Sequence, residues 1–165
     1  MKKTIILLFL CFIVIASASA QTTCDIMTSE DGSEYVVYTD VDDFYYYATV
    51  IGFKPDLNVV RFYVLQNPLG PYGSFSYVDF GKAIIINNNL NKIKLTYDKE
   101  QSEKATNSET NKLGTAYVYS TEDVDLFLNV LSYGYYFTIT GTKESLTDWE
   151  LPKISTFIDM CELLK

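Results

Sequence analysis

The chain has 165 residues, 48% of them apolar and 15% aromatic, with 13 Lys plus Arg against 21 Asp plus Glu and no histidine. These counts suit one globular domain, or at most a small pair, and exclude a mostly disordered chain, which would be poorer in Ile, Tyr and Phe. A single Arg and few Lys leave little positive charge to neutralise phosphates, so nucleic acid is not an expected partner.

Residues 1–20 read as an export signal. Lys2 and Lys3 form a basic start, Ile5 to Ile15 is an apolar run, and Ala18-Ser19-Ala20 supplies the small residues of a cleavage site. The run is too short for a comfortable span of ~20 residues. No stable membrane insertion is therefore expected once the signal is removed. The expected compartment is periplasmic or extracellular, and residues 21–165 are expected to form a single β-rich domain. Without Lys2 and Lys3 the charge is 11 Lys plus Arg against 21 Asp plus Glu, a formal −10. Such a surface favours a basic protein partner.

Cys11 leaves with the signal. Cys24 and Cys161 remain near the two ends, and in an oxidising compartment an isolated pair reads as a disulfide. No CxxC spacing and no histidine is present to make a reactive thiolate.

Residues 35–38 are strand-like, and 39–43 (TDVDD) are expected to break that run. Residues 44–53 are dense in β-formers, with Tyr45, Tyr47, Thr49 and Ile51 on one face and Phe44, Tyr46, Ala48 and Val50 on the other. A helix capped by Thr39 is the alternative for the same residues. Lys54-Pro55-Asp56 marks a turn and 58–66 a strong strand. Residues 67–73 form a Pro-stiffened loop, and 74–80 alternate as a strand. Residues 83–87 and 92–98 flank an Asn-rich turn and read as a hairpin, with Ile93, Leu95 and Tyr97 inward and Lys94 and Thr96 outward.

Residues 98–114 are the one long polar stretch and are expected to be a solvated loop. A strand follows at 115–120. Residues 122–132 then take helical spacing, with Val124, Phe127, Leu128 and Leu131 on one face, Ser120 or Thr121 as cap, and Gly134 as terminator. Residues 135–140 alternate as a strand. A last helix over about 152–164 places Ile154, Phe157, Ile158 and Cys161 on one face. Trp149 is expected to pack that helix onto the core.

The expected fold class is α+β: a mostly antiparallel β-sheet or β-sandwich with a short middle helix and a C-terminal helix. The missing histidine removes Ser-His-Asp triads, Cys-His pairs and His-ligated zinc. No nucleotide-binding glycine motif is present, and no cofactor is expected. Asp40, Asp42 and Asp43 form one acidic cluster and Glu122, Asp123 and Asp125 another. Turn and capping roles explain them more simply than catalysis. The first cluster is also a weak metal candidate, lacking the order of a Ca²⁺ loop.

Tyrosine occurs 14 times. Tyr45, Tyr47, Tyr117, Tyr119 and Tyr136 are candidate ligand-binding rings on an outward sheet face. The expected function is an exported, non-catalytic protein-binding module of the inhibitor, immunity or envelope-assembly type. A glycan-binding domain using the Tyr rings is the alternative, followed by a carboxylate-based glycan hydrolase.

Overall fold

The computed structural model describes residues 21–42, 47–66, 82–107, 115–140 and 150–165. The export signal, Tyr45, Asp43, the strand expected at 74–80 and Trp149 lie outside the described residues. Among the described residues eight strands form one antiparallel sheet: β1 (Gln21–Thr28), β2 (Glu34–Asp42), β3 (Tyr47–Lys54), β4 (Val59–Gln66), β5 (Ala83–Asn87), β6 (Lys92–Tyr97), β7 (Thr115–Thr121) and β8 (Tyr136–Thr140). Their spatial order is β1-β2-β3-β4-β7-β6-β5-β8. Three helices accompany them: α1 (Lys99–Thr106), α2 (Val124–Leu131) and α3 (Ile154–Leu164). The fold is therefore α+β with a mostly antiparallel sheet, as the strand count and two apolar helical patterns imply.

Strand alternation sorts the side chains into two faces. One face buries Val36, Tyr38, Ile51, Phe62, Ile84, Leu95, Tyr119 and Phe137 beneath Phe127 and Leu128 of α2 and Phe157 and Cys161 of α3. The other face has a smaller cluster of Val50, Tyr63, Leu65, Ala116 and Val118 against Ala105 of α1.

Sequence periodicity locates α2, but not its cap. Thr121 ends β7, and Asp123 takes the cap position, accepting from Leu126 N–H at 3.2 Å. Thr121 supports that cap by accepting from Asp123 N–H at 3.2 Å. Gly134, at φ +28°, lets the chain turn sharply into β8. The expected break at 39–43 is also corrected, since β2 runs on to Asp42. Pairing to both β1 and β3 through Val41, and to β3 at Asp42, outweighs the poor strand preference of Asp. Thr22 donates to Asp40 across the strand pair at 2.7 Å.

The expected loop at 98–114 contains a helix instead. Asp98 caps α1 by accepting from Gln101 N–H at 3.0 Å. The paired registers of β6 and β7 stop at Thr96↔Ser120 and Tyr97↔Tyr119. Beyond them α1 supplies the partners that β6 does not. Asp98 N–H donates to Val118 C=O at 2.8 Å, and Val118 N–H donates to Ser102 Oγ at 2.9 Å. One turn on, Ala116 N–H donates to Thr106 Oγ1 at 3.0 Å. Ser102 and Thr106 are four apart, so both face β7.

Ser102→Ala would leave the buried Val118 N–H without its acceptor, and should cost ~1–3 kcal/mol. Glu103→Ala, on the exposed side of the same helix, should stay within about 0.5 kcal/mol of the parent. Urea unfolding of both variants checks the contrast, and equal losses would sink this role for Ser102.

Candidate functional site

At one end of the sheet, the β5–β6 turn, the end of α2 and the start of β8 come together. Asn88 organises the meeting. Its Oδ1 accepts from Leu90 N–H at 2.8 Å and Asn91 N–H at 2.6 Å, while its Nδ2 donates to the Val130 carbonyl of α2 at 3.2 Å. Asn91 adds a second tie, with its Nδ2 donating to Asn129 Oδ1 at 3.1 Å. The backbone closes the turn between Asn88 N–H and Asn91 C=O at 2.9 Å. A short hairpin turn is thereby fixed to a helix whose own apolar face is buried.

This rigid end presents apolar groups to water. Leu90 is 78% exposed at the turn, Tyr133 59% just after α2, and Tyr136 45% at the first position of β8. Tyr136 faces out because its neighbours face in. The Tyr135 hydroxyl accepts from Leu151 N–H at 2.8 Å, and the Tyr135 ring meets Phe137 edge-on with centroids 5.6 Å apart. Register then extends the outward row: Tyr136 pairs with Asn87, and Asn87 with Lys92. The next pair along is Ile85 and Lys94.

The charge of this face differs from that of the chain. β5, β6 and β8 contain no acidic residue. Lys92 and Lys94 are exposed and, among the described residues, form no salt bridge. The lysines of α1 are engaged instead, Lys99 with Glu103 at 3.6 Å and Lys104 with Glu100.

The tyrosine candidates do not share one surface. Tyr119 is 0% exposed, paired opposite Phe62 and packed on Tyr97 with ring centroids 5.6 Å apart. Tyr117 is half-buried against the same core. Both lie on the face covered by α2 and α3, which corrects their expected outward position. Tyr136 is outward, on the opposite face. Tyr47 begins β3. Burial pushes the phenols of Tyr35, Tyr38, Tyr63 and Tyr135 above their usual range.

The acids take structural positions. Asp40 is held by Thr22, and Asp42 ends β2. Asp123 caps α2, and Asp125 pairs with Lys165 at 2.6 Å. Among the described residues no group of three or more His, Cys, Asp or Glu is placed to hold a metal ion. No helix among them is long and apolar enough to cross a membrane.

Cys24 sits in β1 and Cys161 in α3, both as thiols. Cys24 Sγ donates to Met160 Sδ at 3.5 Å. Burial pushes the Cys24 thiol up to about 11, with a smaller push from Asp25, and burial raises Cys161 further still.

Of the residues exposed at this end, the sequence singles out Tyr136 but not Leu90 or Tyr133. The alternation Lys92-Ile93-Lys94-Leu95 carried the missing signal, since it marks one face of β6 as wet and puts the adjoining turn at its edge. Set against known families, curated proteins and solved structures, the chain matches none of them.

Proposed function

We propose that this chain is an exported, non-catalytic protein-binding module whose docking surface is the end formed by Leu90, Tyr133, Tyr136, Lys92 and Lys94. The observation that carries the reading is the exposure of Leu90 on a turn that Asn88 ties to α2, together with Tyr133 just after α2 and Tyr136 at the start of β8. Binding energy at protein interfaces concentrates in such anchors, and a preordered anchor avoids the cost of ordering on contact. An aliphatic Leu at the same end of the sheet as the rings favours a protein over a sugar. A glycan platform would draw on several outward rings, and Tyr117 and Tyr119 are turned the other way.

Two lysines with no acid beside them in β5, β6 or β8 favour an acidic surface on the partner. Net charge alone points to a basic partner, but a partner meets the local face and not the average. Export is supported by the basic start, the apolar run and the small residues at 18–20.

The test uses immobilised protein and extracts of exported proteins. The expected result is an acidic protein retained and released by salt. Leu90→Asp or Tyr136→Ala should each weaken that complex roughly 10–100-fold, the range of an interface anchor. The double substitution Lys92→Glu with Lys94→Glu should lower the on-rate and flatten its salt dependence. Equal affinity for parent and variants, or no retained protein, would overturn the reading. Retention of polysaccharide in place of protein, lost with Tyr136→Ala, would transfer the face to glycan binding.

A further inference from the structure

The second notable pair of groups lies in the core, away from the docking end. Cys24 stands opposite Tyr38 in the β1–β2 ladder, so the two side chains share a face. Tyr38 is fixed to α3 twice. Its hydroxyl donates to the Pro152 carbonyl at 3.0 Å, and its ring meets Phe157 edge-on with centroids 6.2 Å apart. Cys161 lies four residues beyond Phe157, on the same buried face of α3. A step from Tyr38 to Cys24 crosses one strand spacing, ~4.8 Å, and a step from Phe157 to Cys161 advances ~6 Å along the helix. The two steps run the same way, because Cys24 Sγ touches Met160, the residue beside Cys161.

We propose that Cys24 and Cys161 are joined by a disulfide that straps β1, at the edge of the eight-stranded order, to the C-terminal helix. The site is independent of the docking surface. In the reaction two S–H bonds break and one S–S bond forms. The two protons and two electrons pass to an exchange partner, such as oxidised glutathione or the disulfide form of a dithiol oxidoreductase, whose S–S bond breaks to give two thiols.

The two thiols lie within electrostatic reach of each other, since Cys24 is the next cause after burial of the rise at Cys161. Cys161 is fully buried beneath α3, out of reach of an exchange partner, so the bond is expected to form before α3 docks on β1. Burial also holds both thiols protonated, Cys24 up to about 11 from a usual 9.0, whereas exchange needs a thiolate. Oxidation of folded, reduced protein should be roughly 10–100-fold slower than oxidation of the unfolded chain at pH 8.

The full chain carrying Cys11→Ser, which leaves two cysteines, is unfolded in guanidinium and refolded in a glutathione redox buffer. It is then acid-quenched and digested. The expected product is one cross-linked peptide pair containing residues 24 and 161. Reduction of that product should lower Tm by roughly 10–15 °C, the size expected of a long closed loop. Cys24→Ser with Cys161→Ser should melt where the reduced chain melts. Free thiols, mixed disulfides with glutathione at both positions, or links between chains would overturn the proposal. Peptide mapping of the Cys11→Ser chain decides the point even if the double variant fails to fold.

Discussion

Tyr119→Ala is expected to lower stability by about 3–5 kcal/mol, the cost of removing a large aromatic ring from a closed core. The ring is fully buried, stands opposite Phe62 in the β4–β7 ladder and packs on Tyr97. Its loss leaves a cavity beneath α2 that the strands on either side cannot close, because each is held in register by its other neighbour. In a domain of this size the change should move Tm down by roughly 10–15 °C. Tyr119→Phe keeps the ring and should recover most of the loss. Tyr136→Ala, at an exposed position, should stay within about 0.5 kcal/mol. Urea unfolding followed by far-UV circular dichroism measures all three. Parent-like stability for Tyr119→Ala would mean that the ring does not lie in the core.

That contrast shows where the sequence is legible. Residues 115–120 alternate Ala116 and Val118 with Tyr117 and Tyr119, so both faces are apolar and period alone does not say which one meets water. Neither does, fully. Tyr119 lies under the α2–α3 layer, while Ala116 and Val118 lie under α1. The hairpin at β5–β6 is read correctly because Lys92 and Lys94 alternate with Ile93 and Leu95, one face polar and one apolar. The final helix is read correctly because Phe157 and Cys161 repeat at helical spacing against exposed positions.

α1 is missed for a different reason. Its contact with the sheet is made by hydroxyls more than by hydrocarbon. Ser102 and Thr106 serve the backbone of β7 where β6 no longer pairs, and Ala105 is the one apolar side chain buried there. A hydropathy pattern records Ser and Thr as solvated. The demand they meet, unpaired N–H and C=O groups on a strand edge, belongs to another part of the chain. The exposed apolar end escapes notice on similar grounds. Leu90 sits in an Asn-rich turn and looks like turn filling until Asn88 is seen to pin that turn to α2.

Asn88→Ala is therefore the substitution with the widest reach, with an expected loss of about 2–3 kcal/mol. The side chain is buried and makes three hydrogen bonds, accepting from two turn N–H groups and donating to a helix carbonyl. Alanine replaces none of them. The N–H groups of Leu90 and Asn91 can recover water at the exposed turn, whereas the tie between turn and helix is lost outright. Asn88→Asp separates the two functions. A carboxylate still accepts from both N–H groups but has no donor for the Val130 carbonyl, so the turn keeps its shape while its anchor to α2 becomes repulsive. Hydrogen exchange at Leu90 and Asn91 should accelerate strongly in Asn88→Ala and much less in Asn88→Asp, while both variants lose global stability. If Leu90 is the anchor of an interface, both variants should also bind more weakly with Leu90 and Tyr136 intact, because the surface must then be ordered at the moment of contact. A variant whose turn exchanges freely but whose affinity matches the parent would show that the rigidity of this end serves folding alone.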